Sequence, residues 1–300
     1  MLISEYRKHD RQYFYKYTTA NTAKIILVNK TLRFCSPQLF NDPFDVTRKL
    51  RLPVDSEELS GAVVTEFANL IRTGSIPTDQ YNPRLCLLLE YTASLTEKQR
   101  QSLSDQLSDP GLVPKLDQLP SFRELEDKWK WFIPRFRILS FTEEHDNTVM
   151  WSSYSDAYKG VVLELECLDI YDSAFLLARP VIYSDELPVV GTLNLWVRML
   201  TGQASFDYQE MFGKLEYIKS TRWQYEKEWR VSSFEKNSSE LFSDYKMNPR
   251  TFTKVFFGKD VSEQDRKDLL DLLVFDLSHV EAYEMLVDDT RGRLQFARIK

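Results

Sequence analysis

From Asp55 to about Trp131 the apolar residues recur at helical spacing, whereas on both sides of that stretch they fall in short strand-like runs. That change of period constrains the fold more than any other feature of the chain. Strands interrupted by a helical block and then resumed, with no strict alternation of strand and helix, favour an α+β domain over a doubly wound sheet. The block reads as three or four helical segments: SEELSGAVVTEFANLIRTG, PRLCLLLEYTASLTEKQRQSLSDQL and PSFRELEDKWKWFIPRF. Its linkers concentrate Pro, Gly and Asp. Residues 1–54 and 132–300 are therefore expected to form an α+β core, with 55–131 as a helical insertion or subdomain.

Before the block, YFYKY reads as a strand and TANTAKIILVNK as a helix capped by Thr19 or Asn21. TLRFCSP is a second strand stopped by Pro37, and Asn41, Asp42 and Pro43 sign a turn. After the block, FRILSFTEE, YKGVVLELECL and RPVIYSDE are strand-like, with a short helix or turn in DNTVMWSSYSDA. LPVVGTLNLWVRMLTGQASFDYQEMFGKLEYIKS reads as helical and WQYEKEWRVSSFE as a strand beside it. KVFFGKD, a helix in SEQDRKDLLDLLVF, and strands around VEAYEMLV and RLQFARI close the chain.

In 300 residues, 43% hydrophobic side chains suffice for a packed core, and the net charge of −6 argues against non-specific attraction to nucleic acid. Cys35, Cys86 and Cys167 lack metal-ligand spacing and read as buried small hydrophobes in a reducing compartment. His9, His145 and His279 are too dispersed to suggest a histidine metal site or a triad. No stretch reaches the length of a membrane span, and the charged N-terminus is unlike a signal peptide, so a cytoplasmic protein without membrane contact is expected. Glycine-rich phosphate-binding motifs are absent from the sequence.

Four clusters carry groups capable of chemistry, and each has a purely structural alternative. Tyr15, Lys16 and Tyr17 alternate aromatic and basic groups on a strand that could grip a ligand or simply fill a core. In FNDPFD, an Asx-turn accounts for Asn41 and Asp42 as well as a ligand contact does. Trp151 and Tyr154 share a helix face at i, i+3 spacing, suited to stacking on a flat ring or to packing. In TRWQYEKEWRV, strand alternation would point Glu226, Glu228 and Arg230 to one side and Trp223, Tyr225 and Trp229 to the other. Two neighbouring carboxylates in a cleft suit chemistry on a cationic or hydroxylic substrate; on an edge strand they would be merely solvated.

Together, YKY, FNDPFD, SFTE followed by MWSSYSDAYKG, and KSTRWQYEKEWR resemble a widespread bacterial family defined only as a domain of unknown function, family 2971. Its pattern is a Y-K-Y start, an N-D-P-F-D turn, an M-W-x-x-Y…G block and an E-x-E-W-R strand. The resemblance runs in order from Tyr15 to the final strands and is weakest over the helical block. Tyr158 stands where the family pattern has histidine, so no role of that histidine carries over.

The layout of strand, helix, short strand and late Glu-x-Glu strand is also similar to that of ADP-ribosyltransferases. That resemblance implies a mixed, mainly antiparallel split sheet and NAD as substrate. It implies Glu228 as the carboxylate that bonds the ribose 2′-hydroxyl and steadies the oxocarbenium-like charge, with Glu226 directing the acceptor. Tyr15 and Lys16 would grip NAD where those enzymes have Arg or His. Arg33 or Ser36 would take the pyrophosphate or ribose, Asn41 would add a polar contact, and Trp151 or Tyr154 would stack the nicotinamide. The implied function is a toxin or phage-defence transferase acting on RNA, DNA or protein, with an antitoxin or chaperone as partner. Two alternatives stand beside it: a nuclease or NAD hydrolase using Asp42, Asp45, Glu226 and Glu228 with or without Mg²⁺, and a non-catalytic binding or sensor module.

Overall fold

The computed structural model describes residues 5–46, 51–109, 114–171, 173–186, 188–205, 207, 215–235 and 239–300. In chain order the elements are β1 (Tyr13–Thr18), α1 (Ala20–Asn29), β2 (Thr31–Cys35), α2 (Ser56–Thr73), α3 (Pro83–Ala93), α4 (Glu97–Leu107) and α5 (Pro120–Phe132). There follow β3 (Phe136–Thr142), α6 (Thr148–Tyr154), β4 (Val161–Glu166), β5 (Arg179–Pro180), β6 (Ile182–Ser184), α7 (Leu193–Thr201) and β7 (Ile218–Ser220). The last are β8 (Glu228–Phe234), β9 (Phe242–Lys246), β10 (Phe252–Phe257), α8 (Glu263–Leu272), β11 (Glu281–Asp288) and β12 (Arg293–Arg298). The protein is α+β, with a mostly antiparallel open sheet.

The chain divides into two units, one of Met1–Asp45, Pro134–Glu186 and Tyr217–Lys300, the other of Val46–Ile133 and Leu187–Glu216. In the first, strands run in the order β12-β11-β10-β4-β1-β3-β2-β9, with β8 also on β3 and β5 on β8; β6 and β7 form a separate parallel pair. All pairs of the large sheet are antiparallel except β10 with β11. β4 lies inside the sheet, which explains why VVLELE is nearly continuous in apolar residues: Val161, Val162, Leu163 and Leu165 are all fully buried. α1 packs Ala23, Ile26 and Leu27 into the same core as Phe14, Leu163 and Phe257. Thr19 caps α1 by accepting from Thr22 N at 3.2 Å, and Lys30 ends it in the left-handed region at φ 52°.

β3 is where this sheet forks. It pairs with β1 at Tyr15 and Thr142 and with β2 at Cys35 and Ile138, and Ser140 lies between those two points. Lys16 Nζ closes the gap by donating to Ser140 O at 2.6 Å. Along its other edge β3 pairs with β8 over its whole length, from Phe136 with Phe234 to Thr142 with Glu228.

In the second unit α2 begins at Asp55, whose carboxylate accepts from the N–H groups of Glu57 and Glu58, and it ends at Gly74 at φ 63°. α4 opens with a capping box between Thr96 and Gln99. Leu70, Leu85 and Leu89 form a small core, and Ser104 Oγ donates to Ala68 O at 3.0 Å. Trp196 is fully buried and its Nε1 donates to Val190 O at 2.5 Å.

The helical block therefore forms as its periodicity predicts, and so do the strands before and after it. Three stretches differ. The long helix expected over 187–220 is helical at α7, and Ile218–Ser220 is strand β7; residues 187, 206 and 208–214 lie outside the described residues. The strand expected from Trp223 begins only at Glu228, because Thr221–Glu226 forms a 3₁₀ turn. β9 went unrecognised, because its FSDYK interleaves charges with aromatics on an edge strand. Of the cysteines, Cys167 is buried as expected, while Cys35 and Cys86 are half-buried.

Candidate functional site

The two glutamates meet by a turn and not by strand alternation. Ser220 caps the 3₁₀ turn by accepting from Arg222 N at 3.4 Å, and Lys227 ends it in the left-handed region at φ 43° and ψ 49°. A non-glycine residue held there costs about 1 kcal/mol or more, so the surrounding contacts must over-determine it. The reversal sends Glu228 into β8 while Glu226 stays on the turn. Trp223, Tyr225 and Trp229 consequently do not share a strand face: Trp229 packs against the core that holds Phe14, and Tyr225 against the one that holds Tyr17 and Trp151.

Lys219 on β7 joins the carboxylates. Its Nζ donates to Glu226 Oε2 at 2.5 Å and Glu228 Oε2 at 2.9 Å, and lies 3.8 Å from Asp45 Oδ2. Arg230, two residues along β8, grips Glu228 through Nε at 2.7 Å and Nη2 at 3.0 Å. The same guanidinium holds Asp45 at 2.9 and 2.5 Å. Asp45 arrives by the turn that FNDPFD encodes: Asn41 Oδ1 accepts from Asp42 N at 3.0 Å and Asp42 Oδ1 from Phe44 N at 2.9 Å. Tyr154, on α6, donates to Glu226 Oε1 at 2.5 Å and accepts from Asn41 Nδ2 at 3.3 Å. Tyr183 Oη accepts from the backbone N–H of Glu228 at 2.8 Å, and burial pushes its phenol up to about 12.

Three carboxylates thus share two cations, and all five side chains are almost wholly buried. Burial alone would raise the pKa of Glu228, but Arg230 and Lys219 override it and hold the carboxyl well below the usual range. Glu226 goes the other way: burial outweighs Lys219, and the neighbouring negative charge of Glu228 adds to the rise. Asp45 is raised as well, because its burial outweighs Arg230, so Glu228 is the carboxyl held ionised while Glu226 and Asp45 both bind a proton more readily than free carboxylates. Lys219 and Arg230 are both raised, because the carboxylates more than offset their desolvation.

This cluster lies at one side of a cavity of about 470 Å³ lined also by Tyr15, Lys16, Tyr17, Arg33, Cys35 and Asn41. That volume is in the range of roughly 300–1,000 Å³ typical of small-molecule sites. The cavity opens at the fork of the sheet, where Lys16 bonds Ser140. Tyr15 stands against His145, ring centroids 5.0 Å apart, and Tyr154 lines the wall beside Glu226. Arg33 lines the cavity, but its guanidinium pairs with Asp244 at 2.9 and 2.8 Å.

Glu226, Glu228, Tyr15, Lys16, Arg33, Asn41 and Tyr154 therefore line one cavity, seven of the nine residues that the transferase resemblance implies. The other two lie elsewhere. Ser36 is fully buried and caps the turn Pro37–Leu39 by accepting from Gln38 N at 3.3 Å. Trp151 is fully buried, donates from Nε1 to His145 O at 2.7 Å and stacks on Tyr158, so its ring fills the core and not the cavity wall. Lys219 was missed, because nothing in KST distinguishes a buried lysine from an exposed one. Among the described residues no group of His, Cys, Asp and Glu is arranged to hold a metal ion. The oxygens of Asp45, Glu226 and Glu228 converge on the Lys219 ammonium instead.

No curated protein and no solved structure matches the chain. Residues 150–231, which carry both MWSSY and EKEWR, match the model of a family described as a protein of unknown function, DUF2971.

Proposed function

We propose that the cavity binds NAD and that the protein is an ADP-ribosyltransferase acting on a macromolecule, RNA, DNA or protein. The observation that carries this reading is the meeting of Glu226 and Glu228 beside Lys219 at the wall of a cavity that opens at a fork in the sheet. The fork at Ser140 suits the split sheet of those transferases, with β1 and β2 on either side of the opening.

As nicotinamide departs, positive charge develops on the ribose, and a fixed anion stabilises it without having to reorganise. Glu228 suits that task, because Arg230 and Lys219 keep it ionised and immobile. With three carboxylates to two cations, the cluster as a whole carries negative charge when all are ionised. Glu226, whose pKa is raised, is suited to accept the proton of an incoming hydroxyl or amine. Tyr15 and Tyr154 offer rings for a flat base, and Lys16 and Asn41 offer hydrogen-bond donors.

The test is incubation with NAD labelled in its adenylate half, together with cell protein, RNA and DNA. Label transfer with release of free nicotinamide is expected, and Glu226→Gln should abolish transfer while NAD still binds. Absence of both NAD binding and nicotinamide release would sink the reading. Nicotinamide release without transfer would make the protein an NAD hydrolase.

A further inference from the structure

We infer that Lys16 is a nucleophilic lysine whose amine captures small carbonyl compounds in the cavity as a Schiff base. This goes beyond the NAD reading and does not depend on it.

The cations of the cavity differ in their partners. Lys219 lies against three carboxylates, and Arg33 forms a bidentate pair with Asp244. Lys16 has no carboxylate partner among the described residues; its ammonium makes one hydrogen bond, to Ser140 O at 2.6 Å. A backbone carbonyl accepts a hydrogen bond from an ammonium or from a neutral amine, so this contact does not require the charge. Burial lowers the Lys16 pKa, and the opposing pull of Cys35, Glu228 and Glu226 does not restore it. A half-buried lysine whose amine is desolvated without a counter-charge suits a Schiff-base nucleophile.

Access is from the rim, where Leu39 is half exposed and Arg33 and Asn41 reach the surface. In the reaction the Lys16 ammonium first gives its proton to solvent. The nitrogen lone pair then forms a bond to the carbonyl carbon as the C–O π bond opens, and one of the N–H protons passes to the oxygen to give a neutral carbinolamine. Loss of its hydroxyl as water leaves the C=N bond, with no change of oxidation state. Glu226 lines the same cavity and, as a carboxyl whose pKa is raised, can supply the proton that departs with the hydroxyl.

The experiment treats the full chain near neutral pH with pyridoxal 5′-phosphate or with propionaldehyde. Imines are trapped with cyanoborohydride, and labelled peptides are timed by mass spectrometry. Lys16 should label several-fold faster than exposed Lys98 and Lys267, because a lowered pKa leaves more of its amine free. Fast labelling by propionaldehyde alone supports the inference and limits the ligands to small aldehydes. Lys16→Arg keeps a donor for Ser140 and should abolish the fast phase. Labelling of Lys16 no faster than the exposed lysines with both aldehydes, or a fast phase that survives in Lys16→Arg, would overturn it.

Discussion

Arg230 and Asp45 stand 185 positions apart and meet through two hydrogen bonds, Nη1 to Oδ1 at 2.9 Å and Nη2 to Oδ2 at 2.5 Å. Both side chains are almost wholly buried, and the guanidinium also holds Glu228. The pair ties the turn encoded by FNDPFD to the strand encoded by EWR. Its disruption is the most direct probe of the cluster.

Arg230→Ala removes both hydrogen bonds to Asp45 and leaves Asp45 and Glu228 with Lys219 as their one shared cation of the cluster, so a loss of about 3–5 kcal/mol is expected. Arg230→Lys should recover only part of it, because one ammonium cannot serve both carboxylates bidentately. Urea unfolding of the two variants measures both. A change of under about 1 kcal/mol in Arg230→Ala, the size of an exposed pair, would contradict the buried network.

Glu226 and Glu228 shift in opposite directions and so oppose each other in pH dependence. The folded pKa of Glu228 is depressed, so its stabilising contribution is complete above its ordinary value of 4.5 and is lost as pH falls. That of Glu226 is raised, so its contribution is complete below its ordinary value of 4.5 and is lost as pH rises through the folded value. Glu226→Gln should therefore gain stability relative to the wild type as pH rises from 4.5 through the raised folded value. Urea midpoints taken across that range check the sign.

Tyr154→Phe removes the phenol that bonds Glu226 and accepts from Asn41. That hydrogen bond favours the ionised form of Glu226, so its loss raises the carboxyl further. If transfer requires ionised Glu226, the acid limb of the rate profile moves to higher pH in Tyr154→Phe. An unmoved limb with an unchanged maximum would remove Glu226 from the proton transfer.

Trp151→Ala should cost about 3–5 kcal/mol, the range for deleting a large buried aromatic. Trp151→Phe should lose less and leave ligand affinity unchanged, because the indole stands in the core with Tyr17 and Tyr158. Titration of the folded Phe variant with NAD distinguishes this placement from a stacking role.

Gly160→Ala and Gly258→Ala should each destabilise by about 1–3 kcal/mol through overpacking, more than the unfolded-chain entropy effect recovers. An added Cβ at Gly160 would lie 2.2 Å from Thr18 O, and one at Gly258 would lie 2.1 Å from Tyr158 O. Thermal unfolding of the two variants measures the loss.

The elements whose cause is local were readable from the chain. The Thr19 cap and the helical periods of α2 to α5 rest on neighbours within a few positions, as do the strand-like runs of β1 and β4 and the Asx-turn at Asn41 and Asp42. The failures came where short-range pattern and long-range contact disagree. WQYEKEWRV alternates like a strand, yet Glu226 is held on a turn by Lys219 and Tyr154, and that pull places Lys227 in a conformation its own sequence does not favour. Trp151 and Tyr154 share a face of a short helix, but the packing around α6 buries the first and leaves the second at the cavity.

By itself, the sequence determined where most of the helices and strands form, because periodicity, caps and turn residues act over a few positions. Only the tertiary structure decided which cations meet those carboxylates and which of them stays ionised. The partners Asp45, Lys219 and Arg230 are brought together by the path of the chain through a forked sheet, and the burial that sets each charge exists only once that path is complete.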